Sequence, residues 1–141
     1  MLKDEHIEDF IVKNIKSGDT VSIGTSKLGT VFLKKLALAI EREEIDLKGI
    51  SFVPTSNELA EVASQLKLPI TNLNDSEIDV AVEFVSAVDW DFNFIKRESF
   101  SLVRDKMIAQ SAATLFVVCE EENFSKTLRG KIPFEVAPFG W

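Results

Sequence analysis

Apolar residues recur along this chain in two alternating patterns, a helical spacing and a short continuous run. Ile7, Phe10, Ile11 and Ile15 share one face of a helix predicted over residues 3–16. Ser17-Gly18-Asp19 ends it, and TVSIG, residues 20–24, reads as a short buried strand. A stripe of Phe32, Leu33, Leu36 and Ile40 predicts a helix over residues 29–43. GISFV, residues 49–53, predicts a second strand, stopped by Pro54. Thr55 and Glu58 have capping-box spacing ahead of a helix that continues through Leu59, Val62, Ala63 and Leu66. Leu68-Pro69-Ile70 starts a short strand. Residues 78–85 form a strongly apolar strand with two charges, Asp79 next to its start and Glu83 well inside it. A helix over 99–113, a buried strand over 114–119 (TLFVVC) and a last strand over 132–138 complete the pattern.

Alternating strands and helices imply an α/β fold, a Rossmann-like open sheet of three layers, mostly parallel, with right-handed crossovers. In such a sheet the ligand sits beyond the carboxyl ends of the strands. The 141 residues fit one domain, 1–141, with no internal repeat or linker. A net charge of −7 argues against a nucleic-acid surface, which needs clustered Lys and Arg. No apolar run reaches the length of a membrane span, and the charged N-terminus MLKDEHIEDF is unlike a signal peptide. A single cysteine, Cys119, allows no internal disulfide and fits a reducing, cytoplasmic setting.

Three positions carry candidate chemistry. Glu83 lies in the apolar stretch 80–85, where an unpaired carboxylate is costly; it either pairs with Lys96 structurally or acts on a substrate. Lys96 follows Phe92-Asn93-Phe94-Ile95. Its ammonium is suited to stabilising a developing oxyanion, against the plainer reading of a surface lysine beside Arg97 and Glu98. Asp105 sits three residues after Leu102 and three before Ile108, beside an apolar stripe that would favour a general base, against an exposed aspartate paired with a neighbour. One crevice lined by residues 24–30 would have to gather all three. That loop, Gly24-Thr25-Ser26-Lys27-Leu28-Gly29-Thr30, joins strand to helix and is either a phosphate cradle, with Lys27 and the hydroxyls helping, or a plain tight turn. It lacks the Gly-Lys-Ser/Thr ending of a P-loop. His6 reads as a surface residue and Glu120-Glu121-Glu122 as a solvated loop. With one His and one Cys the usual zinc sets are unavailable, so no metal is expected. Trp90 and Trp141 fit packing better than ligand stacking.

These segments resemble ribose-5-phosphate isomerase of type A over nearly the whole chain. Gly24-Thr25 matches the start of that family's G-T-G-S-T phosphate loop. Glu83-Phe84-Val85-Ser86-Ala87 falls on its D-G-A-D-E segment, with Glu83 in place of the first carboxylate and Ser86 in place of the second. Lys96 keeps the lysine of K-G-G-G-G, while Arg97, Glu98 and Ser99 replace glycines. Leu102-Val103-Arg104-Asp105-Lys106 falls on L-x-R-E-K, whose glutamate is the family's base. The resemblance implies the fold of the sugar-phosphate isomerase and coenzyme A transferase type. It implies interconversion of ribose 5-phosphate and ribulose 5-phosphate through an enediol, with Asp105 as base, Lys96 as oxyanion stabiliser and Glu83 as a hydroxyl partner. Gly24, Thr25, Ser26, Lys27 and Ser86 would bind the sugar phosphate, with no cofactor. It further implies a role in the pentose phosphate pathway, a homo-oligomer such as a dimer, and a chain that ends near the point where the family adds a smaller α+β domain. The replaced loop residues leave two other readings on the same scaffold, a non-catalytic sugar-phosphate or nucleotide binder and an interaction subunit exposing Phe134, Phe139 and Trp141.

Overall fold

The computed structural model describes residues 3–43, 47–134 and 136–140; Trp141 lies outside them. In chain order, α1 (Asp4–Asn14) leads to β1 (Thr20–Ile23), α2 (Lys27–Glu41), β2 (Ser51–Pro54), α3 (Asn57–Gln65) and β3 (Ile78–Phe84). β4 (Ala87–Asp89) and β5 (Phe94–Ile95) form a hairpin ahead of α4 (Leu102–Ser111), β6 (Ala112–Val118), a 3-10 turn at Glu121–Asn123 and β7 (Phe124–Ser125).

The main sheet is parallel throughout, in the order β2-β1-β3-β6, with Val21 opposite both Phe52 and Val80, and Val80 opposite Thr114. Apolar side chains fill both faces, as a sheet covered by helices requires. On one face Ile7, Ile11, Phe32, Leu33, Leu36 and Leu59 meet Val80, Val82 and Phe84 of β3. On the other, Ala81 packs with Val53 of β2 and Ile108 of α4. Side chains alternate along a strand, so Glu83 shares the face of Ala81, toward α4. Phe10 stacks edge-on against Phe32 and Phe116, fixing α1 over the sheet. No helix among the described residues is long and apolar enough to cross a membrane.

Several elements differ from the sequence pattern for identifiable reasons. Ser56, not Thr55, caps α3: its Oγ accepts the Leu59 N–H at 3.2 Å, while the Thr55 hydroxyl donates to the Ile23 carbonyl at 2.8 Å. Leu68-Pro69-Ile70 contributes one isolated bridge, Phe52 to Ile70. The strand expected over 114–119 begins at Ala112 and is only half-buried, because it is the outer strand of the order β2-β1-β3-β6. The expected helix over 99–113 starts three residues late, at Leu102; the Ser99 hydroxyl bonds Asp105 and the Ser101 hydroxyl bonds the Thr55 carbonyl. The described residues of 132–138 form no strand, and Ile132, Phe134 and Val136 are exposed. Alternating apolarity marks a face that a sheet would bury; a strand also needs a ladder, and Pro133 and Pro138 have no N–H to give one.

The strict strand–helix alternation also breaks after β3. β4 pairs antiparallel with β5 and parallel with β7 in a separate small sheet. The hairpin tip is built on Asp89, whose carboxylate accepts the backbone N–H of Asp91 at 3.0 Å and of Asn93 at 2.9 Å, plus the Asn93 amide. This leaves Phe92 at φ +63° with Trp90 exposed beside it. The hairpin returns the chain to the carboxyl end of β3, and Lys96 follows directly.

Candidate active site

Three elements deliver the site. Glu83 comes from the penultimate position of β3, Lys96 from the residue after β5, and Asp105 from the first turn of α4. Lys96 Nζ donates to Glu83 Oε2 at 2.5 Å and to Asp105 Oδ2 at 2.8 Å. All three side chains are withdrawn from solvent, with Lys96 7% exposed and its partners 2% and 3%. Ser99 Oγ donates to Asp105 Oδ2 at 2.5 Å, and the Thr25 N–H reaches Asp105 Oδ1 at 3.3 Å. Gly24 is required where it stands, because a Cβ there would overlap the Glu83 carboxylate.

Burial pushes the Glu83 carboxyl up from 4.5 to about 7; the charge and hydrogen bond of Lys96 oppose the rise, and the nearby Asp105 charge adds to it. Folding therefore favours protonated Glu83. Between pH 4.5 and about 7 the folded chain holds more protons at this position than the unfolded one, so the contribution to stability is complete below that window and lost across it as pH rises. Wild-type protein is expected to lose on the order of 3 kcal/mol of unfolding free energy from this group over that range. Glu83→Gln should flatten that part of the pH profile in denaturant titrations. A wild-type profile as flat as the variant's would show that Glu83 is not desolvated.

The cluster opens on a cleft of about 600 Å³ walled by Phe94, Leu102, Leu115 and Ile132. Residues 128–133 close one side and are tied down by Arg97, which donates from Nε to the Lys131 carbonyl at 3.1 Å and from Nη2 to the Arg129 carbonyl at 2.9 Å. Gly130, at φ +92°, lets both carbonyls turn to one guanidinium. Arg97→Ala should speed tryptic cleavage after Arg129 and Lys131 several-fold while leaving global stability nearly unchanged; equal cleavage would mean the tie carries nothing.

Not every residue singled out in the sequence meets this cluster. Residues 24–30 touch it through Gly24 and the Thr25 N–H, but none lines the cleft, which corrects the expected single crevice lined by that loop. The Thr25 hydroxyl lies 2.9 Å from that of Thr55. Ser26 caps α2 by accepting the Gly29 N–H at 2.8 Å, and Lys27 is exposed in the first turn of that helix. Ser86 accepts the Arg97 N–H at 3.1 Å and so buttresses the hairpin. Arg97 and Phe100 stay out of the cleft; Phe100 is almost wholly exposed. His6 is exposed on α1, and residues 120–122 are exposed. Among the described residues no group of three or more His, Cys, Asp or Glu is placed to hold a metal ion. The sequence reading gave no role to Ser99 or Ser101. Two serines just before a helix were the available signal, since such hydroxyls commonly bond groups near a helix start.

The family model described as ribose 5-phosphate isomerase A (phosphoriboisomerase A) matches residues 51–141. The chain is 34% identical over 139 residues to ribose-5-phosphate isomerase A of Listeria monocytogenes serotype 4b, covering 97% of this chain and 57% of that protein. Among solved structures, a D-ribose-5-phosphate isomerase in complex with phospho-erythronic acid superimposes with a TM-score of 0.76 at 28% identity, over 87% of this chain and 55% of that one. The Plasmodium falciparum ribose 5-phosphate isomerase gives 0.77 at 25% identity, over 85% and 51%. The chain thus spans little more than half the length of the relatives it matches.

Proposed function

The chain belongs to the ribose 5-phosphate isomerase A family, and we propose that it interconverts ribose 5-phosphate and ribulose 5-phosphate through an enediol. The observation that carries this reading is the buried amine held between two carboxylates at the floor of the cleft, 2.5 Å and 2.8 Å away. Asp105 takes the proton from C2 of the open-chain aldose and returns it to C1. The Lys96 ammonium lies where negative charge would develop on the carbonyl oxygen, in a site dry enough for that charge to count. Glu83, poised near neutrality, can give or take the hydroxyl proton that must move as the enediol forms and collapses. A phosphate is too negative for a floor that already holds two carboxyl groups. It fits the start of α2 instead, where backbone N–H groups and Lys27 offer positive potential.

The test is direct turnover of ribose 5-phosphate by pure protein, followed by appearance of the ketose. Turnover that disappears in Asp105→Asn is the expected outcome. Folded wild-type protein without turnover would remove the assignment and favour a binding protein on the same scaffold.

A further inference from the structure

Ser99 belongs to no helix or strand, yet its side chain is buried. Its Oγ accepts the Ser101 N–H at 3.0 Å and lies 2.5 Å from Asp105 Oδ2. An ionised carboxylate can only accept, and a serine has one hydroxyl proton, so that proton is committed to Asp105. The turn that carries Ser99 is itself anchored. Ser101 Oγ donates to the Thr55 carbonyl at 2.7 Å, and Thr55 Oγ1 donates to the Ile23 carbonyl at 2.8 Å. Ser101 caps α4 by position, but its hydroxyl is spent on Thr55 and leaves the helix without a side-chain cap. A chain of hydrogen bonds therefore runs from the end of β1 to the Asp105 carboxylate.

The two oxygens of that carboxylate are not equivalent. Oδ2 receives both Lys96 Nζ at 2.8 Å and Ser99 Oγ at 2.5 Å, whereas Oδ1 receives the Thr25 N–H at a long 3.3 Å. The terminal torsion of an aspartate is broad and nearly two-fold, so an untethered carboxylate samples a range of orientations. We propose that Ser99 is a positioning residue: with Lys96 it pins Oδ2 and leaves Oδ1 as the oxygen that takes the substrate proton. The proposal rests on the assignment of Asp105 as the base. Ser99 touches no substrate atom; it acts through Asp105. A misplacement of about 1 Å in a reacting group can cost about a hundredfold in rate, which sets the scale of the effect.

The test combines kinetics on ribose 5-phosphate with carbon NMR of the unliganded protein, for wild type, Ser99→Ala and Ser99→Thr. Ser99→Ala should lower kcat by about ten- to a hundredfold with KM within about twofold, because the tether serves the proton transfer and not the binding of sugar phosphate. Ser99→Thr keeps the hydroxyl and should recover most of kcat. The Asp105 13Cγ resonance, assigned by its loss in Asp105→Asn, should shift in Ser99→Ala and return in Ser99→Thr. Wild-type kcat in Ser99→Ala, or an unmoved resonance, would overturn the proposal. If wild type itself shows no turnover, the isomerase assignment falls, and the resonance still decides whether Ser99 holds Asp105.

Discussion

Replacing Lys96 with alanine is expected to lower the unfolding free energy by about 3–5 kcal/mol near pH 7.5, measured by denaturant titration. A domain of ordinary stability has about 5–15 kcal/mol in total, so the variant would be near the limit of folding. The loss comes from what remains. Lys96 is the amine that Glu83 and Asp105 share, and both carboxylates are 3% exposed or less. Without it, the buried Glu83 carboxyl must either take up a proton or face the Asp105 charge away from water, and both are costly. The cost should shrink toward pH 5, where Glu83 carries its proton in the fold, because one of the two charges is then gone. Adding Glu83→Gln to the alanine variant should recover part of the loss for the same reason. A cost under about 1 kcal/mol, the range of an exposed ion pair, would mean that water reaches the amine and that the site is not sealed.

Asp105→Asn is expected to reduce kcat by about 10²–10⁴-fold with the fold intact, the usual contribution of a positioned general base. The substitution keeps the shape and leaves an amide oxygen to accept from Lys96 and Ser99. The long bond from the Thr25 N–H is the one contact it endangers, so stability should fall far less than in the lysine variant. The two variants thus separate the roles. Lys96 is held to both structure and chemistry, whereas Asp105→Asn removes a basic oxygen and little else. Equal turnover in wild type and Asp105→Asn would transfer the base to another group, and Glu83 is the first alternative.

Much of the fold could be read from apolar spacing because the main sheet is buried on both faces. β1, β2 and β3 are short apolar runs, and α1 and α2 show their buried stripes plainly. What failed were features set by partners distant in the chain. The small sheet joins residues 87–89 to 94–95 and 124–125, and no local pattern announces that pairing. The alternation over 132–138 is locally strand-like, yet the described residues there have no ladder. Thr55 and Ser56 are adjacent hydroxyls with equal claim to a cap; the carbonyl of Ile23 takes one and leaves the other. At the site, Glu83 was conspicuous as the charge in the apolar stretch 80–85, while Lys96 and Asp105 each had a plainer reading that the family resemblance overruled. Ser99 was not, because its importance lies in a 2.5 Å approach to Asp105 that sequence separation does not reveal. The loop 24–30 looked like a wall of the cleft and instead meets the cluster only through Gly24 and one backbone N–H.

The decisive measurement is hydrogen exchange at the sugar carbons. Ribose 5-phosphate incubated with the protein in D2O and followed by proton NMR should lose its C2 hydrogen signal as ribulose 5-phosphate forms, with deuterium entering at C1 of the ketose to the extent that the proton held by Asp105 exchanges with solvent before its return, and Asp105→Asn should show no such conversion on the same timescale. Folded wild-type protein that leaves both carbons fully protonated and forms no ketose would contradict the account.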